Sequence, residues 1–260
     1  MSEQPAIDFS RLGPAAGARI AIVGGCGGMG RALVRALLDT GVQVAVLDLP
    51  TSIEQHKPPA GAIAIAIDGS QEESVTQAFA DLSRQWDRID GFVNLAGFMK
   101  GFHPIAELPA AIFDEVMTGN LRTQFLCARA ALPLLHKSSQ AAMVNVTSTL
   151  GIDVHGGYVH YSAAKAGIIA LTKGLARENA PRVRVNALAP GLTNTAFLVG
   201  GTGREKVFDD MDPQLYGKRV PLKRVAVADD MVGPILFMLG AASRYMTGET
   251  MIVDGGTYVQ

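Results

Sequence analysis

The 260-residue chain predicts a single doubly wound α/β domain, a seven-stranded parallel sheet flanked by helices on both faces. Three observations carry that expectation. From residue 19 onward short β-branched runs alternate with longer helical patterns, the signature of strand–helix–strand units. A glycine cluster stands between the first strand and the first helix. The length suits an α/β domain of about 250 residues folding as one unit.

Residues 1–18 read as an N-terminal extension, and Glu3 and Asp8 with no apolar stretch do not make a secretory signal. Ile20–Val23 is the first strand, followed by a helix from Met29 to Thr40 that Gly41 closes at its C-terminus. Val42–Leu47 is the second strand and Ala62–Ile67 the third, whose run without polar alternation suits burial on both faces. Gln71–Trp86 is amphipathic, Gly91–Leu95 is a fourth strand, and Ala110–Leu135 is helical with a break near Gly119 or Pro133. Ala142–Thr147, Arg184–Leu188 and Met251–Val253 complete the strands, with a helix from Tyr158 to Asn179 between the first two. The stretch 193–225 holds no strand, is rich in glycine and charge, and reads as a lid over substrate. The expected strand order is 3-2-1-4-5-6-7.

Composition narrows the function. A formal net charge of −1 gives no field to gather nucleic acid or acidic lipid. Cys26 and Cys127, 101 positions apart, have neither metal-ligand nor redox spacing, so no metal is expected and a reducing cytoplasm fits. The longest apolar-and-glycine run, Ala60–Ile67, is far below the ~18 residues of a membrane span.

Five glycines in the seven residues Gly24–Gly30 are a backbone requirement: they permit positive φ and let a pyrophosphate approach amides at a helix N-terminus. The plainer reading is a tight turn. Asp48, eighteen residues after Gly30 at the tip of the second strand, is where a ribose acceptor belongs, although a strand-end Asp also caps loops. A carboxylate there repels a 2′-phosphate and Leu49 beside it is neutral, so NAD is expected over NADP. Tyr161 and Lys165, four apart on a helix, share a face. A lysine there could favour the phenolate of a tyrosine whose ordinary pKa is about 10, unless the pair merely sits on an exposed face. Thirteen residues upstream of Tyr161, Ser148 follows a strand at the sheet edge where ligands bind.

These pieces, in this order, closely resemble the short-chain dehydrogenase/reductase family and its Rossmann architecture, from Arg19 to Gly256. The matched residues are Gly24, Gly28 and Gly30, Asp48, Asp68, Asn94-Leu95-Ala96-Gly97, Asn120, Ser148, Tyr161, Lys165, Pro190 to Thr195, Thr247 to Glu249 and Val253 to Gly256. The resemblance implies that Tyr161 is the general acid/base, that Lys165 lowers its pKa and holds the nicotinamide ribose, that Ser148 binds the reacting oxygen, and that Asn120 holds a water. It implies that Gly27 and Met29 join the glycine loop at the coenzyme. Asp68 would lie near adenine, Asn94, Ala96 and Gly97 at the adenosine ribose, and Pro190, Gly191, Thr193 and Thr195 at the carboxamide. The implied activity is interconversion of a secondary alcohol and a ketone with NAD. The alternatives are an NADPH-dependent 3-oxoacyl-carrier-protein reductase and a non-catalytic NAD-binding regulator.

Two positions depart from the family pattern. Val23 stands where threonine is usual and Leu95 where asparagine is usual; the paired loss reads as an apolar contact replacing a polar one. Phe98, Met99, Phe102, Phe197, Leu198 and Val199 either line an apolar substrate pocket or pack the lid. His155 and Tyr158 are further candidates for substrate contact; His103 and His160 have no metal spacing, Cys26 reads as a small filler, and Asp209 to Asp212 as a solvated loop face. The family implies a homotetramer or homodimer built through Ala110–Leu135, Tyr158–Asn179 and the tail. The small residues Ala163, Ala166, Ala170 and Gly174 suit such close packing, and equally suit the sheet.

Overall fold

The structure, a computed structural model, describes residues 11–199, 201 and 213–258. The Asp209 to Asp212 cluster and the first ten residues lie outside the described residues. In chain order the elements are β1 (Arg19–Val23), α1 (Gly28–Asp39), β2 (Gln43–Asp48), α2 (Pro50–Gln55), β3 (Ala62–Ala66), α3 (Glu72–Gln85) and β4 (Gly91–Asn94). There follow α4 (Ala110–Met117), a π turn (Thr118–Arg122), α5 (Thr123–Leu135), β5 (Ala141–Val146), α6 (Val159–Asn179) and β6 (Val183–Pro190). The chain ends with α7 (Pro213–Gly217), α8 (Val232–Leu239) and β7 (Thr250–Val253).

All seven strands are parallel in the expected order β3-β2-β1-β4-β5-β6-β7. Strand periodicity divides the core. Ala21 and Val23 of β1 join Leu82, Leu126 and Met143 under α3 and α5, whereas Ile20 and Ile22 join Leu33, Leu37, Ile235 and Met238 under α1 and α8. Val23 pairs with Leu47 on one side and Asn94 on the other, so β1, β2 and β4 end level at one edge. The strand order reverses between β1 and β4, the crevice where such sheets bind ligands.

Two expectations change, for β3 and for Val23 with Leu95, while the expected break in the long helix is found and the open reading of α6 is decided. β3 is not buried on both faces: it is the edge strand, with Ala64 and Ala66 exposed, because only β2 lies beside it. The long helix breaks at Gly119 as a π turn, and Pro133 is carried inside α5. A Cβ at Gly119 would lie 2.0 Å from Phe98 Cε1, so the turn widens where Phe98 presses on the helix. The small face of α6 does not pack on the sheet: Ala163, Ala166 and Ala170 are exposed, while Ala164, Ile168 and Ala176 are buried. Val23 and Leu95 do not compensate one another, since their side chains enter opposite core layers and the strand ends meet through a backbone bond, Leu95 N–H to the Val23 carbonyl at 2.9 Å.

Three helices, α2, α7 and α8, have no counterpart in the sequence reading. Among the described residues the stretch 193–225 has one isolated bridge, Thr193 to Ala226, which pins its stem beside β6. No helix among the described residues is long and apolar enough to cross a membrane, and they hold no cluster of three or more metal-ligating side chains.

Candidate active site

Two cavities of about 870 and 1170 Å³ open at the carboxyl edge of the sheet. Both are lined by Met29, Leu95, Gly97, Thr195 and Phe197, which makes them one trough.

The first half is made mostly of backbone. Gly24, Gly27, Gly28, Met29 and Gly30 floor it, with Asp48, Asp68, Ala96, Gly97 and Thr195 around them. Gly24 has φ +80° and Ala96 N lies 3.0 Å from where its Cβ would stand, so both conformation and space require glycine. A Cβ on Gly30 would fall 2.3 Å from the Gly24 carbonyl oxygen, and one on Gly28 2.8 Å from Thr195 Cγ2. The loop is thus packed on itself, and α1 starts with no side-chain cap on its amides. Those uncapped amides suit an anion.

Asp48 ties this loop to β2. Its Oδ2 accepts from Cys26 N–H and its Oδ1 from Leu49 N–H, each at 2.8 Å. Burial raises the carboxyl pKa, and the bonds from Cys26, Leu49 and Ser52 oppose that rise. Asp68 is held by Ser70, whose N–H and hydroxyl both donate to its Oδ1. Asn94 lies behind the wall rather than on it: it is 0% exposed and its Oδ1 accepts from Ala96 N–H. These residues fit a dinucleotide, with room cleared of side chains for the pyrophosphate and a carboxylate at the ribose end. Among its described lining residues none is Lys or Arg.

In the second half Ser148, Tyr161, Lys165, Pro190, Gly191, Thr193 and Thr195 share the wall. Ser148 leaves β5 and caps a short turn, accepting from Leu150 N–H at 3.2 Å. That turn packs directly on α6, where a Cβ at Gly151 would lie 2.8 Å from the Lys165 carbonyl carbon. The Thr147 hydroxyl donates to the Lys165 carbonyl at 2.6 Å and fastens the two segments. Tyr161 thereby comes beside Ser148, near enough for the Ser148 hydroxyl to oppose the rise of its pKa. Lys165 donates to the Val146 carbonyl at 3.1 Å, with its Nζ 5.4 Å from the Tyr161 ring centroid.

Tyr161 is 5% and Lys165 3% exposed. Burial pushes the phenol pKa well above its usual value, opposed by the Ser148 hydroxyl, and pushes the lysine down to about 7. The lowering of Tyr161 expected from Lys165 does not emerge in this balance. An ammonium depressed to about 7 is only partly charged near neutrality, so burial dominates the phenol.

Asn120, fully buried in the π turn, donates from Nδ2 to the carbonyls of Phe98 and Val116, both at 2.9 Å. Its Oδ1 accepts from Phe98 N–H at 3.3 Å and faces Gly97, whose Cβ would stand 2.7 Å away. The side chain therefore fixes the loop carrying Gly97 and Phe98.

Of the apolar residues flagged in the sequence, Met99, Phe197 and Leu198 line the second cavity. Phe98 packs beneath it, and Phe102 is 61% exposed with its ring edge-on to Tyr158. The side chain of Val199 lies outside the described residues. Sequence reasoning missed Ser52, and gave the tail a role in assembly but none at the pocket, to which it brings Asp254, Thr257 and Tyr258. Asp254 accepts from Gly256 and Tyr258 N–H, folding the tail back. The local signal was an Asp before two glycines, an Asx-type turn with nothing to say where it lands.

Residues 24–258 match the protein family described as Enoyl-(Acyl carrier protein) reductase. The chain is 32% identical to the 3-oxoacyl-[acyl-carrier-protein] reductase FabG of Aquifex aeolicus (strain VF5), over 91% of this chain and 96% of that one. It is 30% identical to 2-(S)-hydroxypropyl-CoM dehydrogenase 3 of Xanthobacter autotrophicus (strain ATCC BAA-1158 / Py2), over 91% and 95%. Among solved structures, levodione reductase superposes with a TM-score of 0.82 at 28% identity, covering 93% of this chain and 98% of that one.

Proposed function

Because the chain belongs to the short-chain dehydrogenase/reductase family, oxidoreductases acting on CH–OH groups of small molecules, we propose that it interconverts a secondary alcohol and a ketone with NAD. The observation carrying this reading is the meeting of Ser148, Tyr161 and Lys165 at the junction of a glycine-floored groove and an apolar-walled pocket. The nicotinamide coenzyme supplies the hydride acceptor in oxidation and the donor in reduction. Ser148 holds the reacting oxygen by its hydroxyl and turns it toward Tyr161. Tyr161 takes the hydroxyl proton at its phenolic oxygen in oxidation and returns it in reduction. Its raised pKa keeps the proton in place near neutrality, which suits the reductive direction. Lys165 anchors the coenzyme's nicotinamide ribose, and Asn120 positions the Gly97–Phe98 loop against it. The exposed small face of α6 supports assembly into a homodimer or homotetramer, and a cytoplasmic location agrees with two buried free thiols.

Preference for NAD rests on Asp48, whose carboxylate stands at the end of β2 beside uncharged Leu49. A second reading, an NADPH-dependent 3-oxoacyl-carrier-protein reductase, draws on the names of several relatives. It also draws on Arg31, Arg35 and Lys57, which line a neighbouring groove on the far side of Gly25 and Gly28. Coenzyme titration separates the two. Wild-type protein should bind and use NAD at least about tenfold better than NADP, and Asp48→Ala should reduce that ratio by relieving charge repulsion worth about 1.4 kcal/mol per tenfold. Preference for NADP in the wild type would overturn the first reading.

A further inference from the structure

The polar side chains lining the substrate half of the trough are mostly spent on the wall itself. Thr149, Thr193 and Thr257 donate to the carbonyls of Pro190, Gly191 and Asp254, and Asp254 accepts from the tail amides. Asp153 and His155 are different. Both line the cavity and both are exposed, with side-chain exposures of 54% and 60%, and their recorded bond among the described residues is to each other, His155 Nε2 to Asp153 Oδ2 at 3.4 Å.

Their place is fixed. Tyr158 N–H donates to the His155 carbonyl, so a tight turn delivers His155 immediately before α6. His155, Tyr158 and Tyr161 recur at three-residue spacing and all line the pocket, with exposure falling from the mouth inward to 5% at Tyr161. The Gly97–His103 loop is held against this turn by His103 N–H to the Gly157 carbonyl at 2.8 Å. The pair is therefore mounted on a braced turn in a pocket whose wall also carries the apolar side chains Met99, Leu150, Leu192 and Leu198.

The geometry points to a second recognition site: the His155–Asp153 pair reads a hydroxyl group on the substrate, away from the carbon that is oxidised. This rests on the alcohol–ketone reading above and specifies its substrate class as a hydroxylated secondary alcohol or hydroxyketone. With Nε2 donating to Asp153, Nδ1 is the ring nitrogen left over, and in that tautomer it is a lone-pair acceptor for an O–H donor. An anionic group at that position would meet the Asp153 carboxylate, so a carboxylate, sulfonate or phosphate is disfavoured.

The test uses matched alcohols differing by one hydroxyl: 1,3-butanediol with 2-butanol, 1,4-pentanediol with 2-pentanol, and 1,5-hexanediol with 2-hexanol, each with saturating NAD. In the wild type at least one diol should exceed its partner in kcat/KM by about three- to tenfold, the worth of one neutral hydrogen bond. His155→Phe should abolish that preference, bringing the diol down to the kcat/KM of its plain partner, and Asp153→Asn should reduce it. A wild type that turns over plain alcohols without favouring any diol, or a preference that survives His155→Phe, overturns the hydroxyl site alone. No turnover of either series, nor of the corresponding ketones with NADH, overturns the alcohol–ketone reading and this site with it. Melting curves confirm that each variant is folded.

Discussion

The two halves of the trough are built by opposite means. The coenzyme half works by leaving side chains out: Gly24 and Gly30 are required by backbone approaches of 2.3 to 3.0 Å, Gly28 by the Thr195 side chain at 2.8 Å, and the carboxylate of Asp48 at the end of β2 is bonded back into the loop. The substrate half works by putting side chains in, with Ser148, Tyr161 and Lys165 brought from β5 and α6, and the mouth made of a turn, a lid stem and the C-terminal tail. A half defined by absent side chains tolerates almost no substitution. One defined by present ones can change ligand by changing residues.

Each half can be broken separately. The largest effect belongs to Tyr161→Phe, which removes the proton donor and acceptor and should lower kcat by about 10²–10⁴-fold. Coenzyme affinity, measured by calorimetry, should stay within a few-fold, and retained full activity would remove Tyr161 from the chemistry. In wild-type protein alcohol oxidation should climb with pH on the alkaline side, because burial has raised the pKa of the group that must lose its proton.

Next is Gly30→Ala. Its Cβ would stand 2.3 Å from the Gly24 oxygen and 2.6 Å from Gly25 Cα, both backbone, so the loop itself must move. The expected cost is about 1–3 kcal/mol in stability, read from denaturant unfolding, together with loss of NAD affinity. Gly233→Ala is the contrast, since nothing lies within 4 Å of its Cβ position in α8. There the substitution should be neutral or stabilise by up to about 1 kcal/mol. Equal behaviour of the two variants would contradict the packing account of the loop.

The smallest effect concerns His160, fully buried beside His103, with neither ring nitrogen hydrogen-bonded among the described residues. Burial, with His103 adding to it, lowers its pKa from 6.5, so on acidification the unfolded chain takes up the proton first. Stability therefore falls as pH drops below about 6.5 toward the lowered folded value. His160→Leu should flatten that slope and stabilise the protein by about 1 kcal/mol at neutral pH, because an unpaired buried polar group is lost. Melting temperatures between pH 7 and 5 provide the comparison.

Legibility followed the same division. Strand order, the break at Gly119 and the motif residues of the glycine loop were readable because each depends on local periodicity or on a backbone that only glycine permits. Burial of β3 was misread because an apolar run does not record whether a neighbouring strand exists. Val23 and Leu95 looked like a compensating pair because adjacency of strand ends says nothing about which face each side chain takes.

By itself, then, the sequence determined the doubly wound sheet, the glycine loop with Asp48 at the end of the following strand, and the order of Asn120, Ser148, Tyr161 and Lys165 along the chain. Spacing along a strand or a helix turn is enough to place such features. Only the tertiary structure decided that burial governs the Tyr161 and Lys165 pKa values and that Asn120 spends its amide on the Phe98 loop. It also brought Asp153, His155 and the tail at Tyr258 to one pocket. Desolvation and long-range convergence depend on what packs around a residue, and no local pattern of residues encodes that.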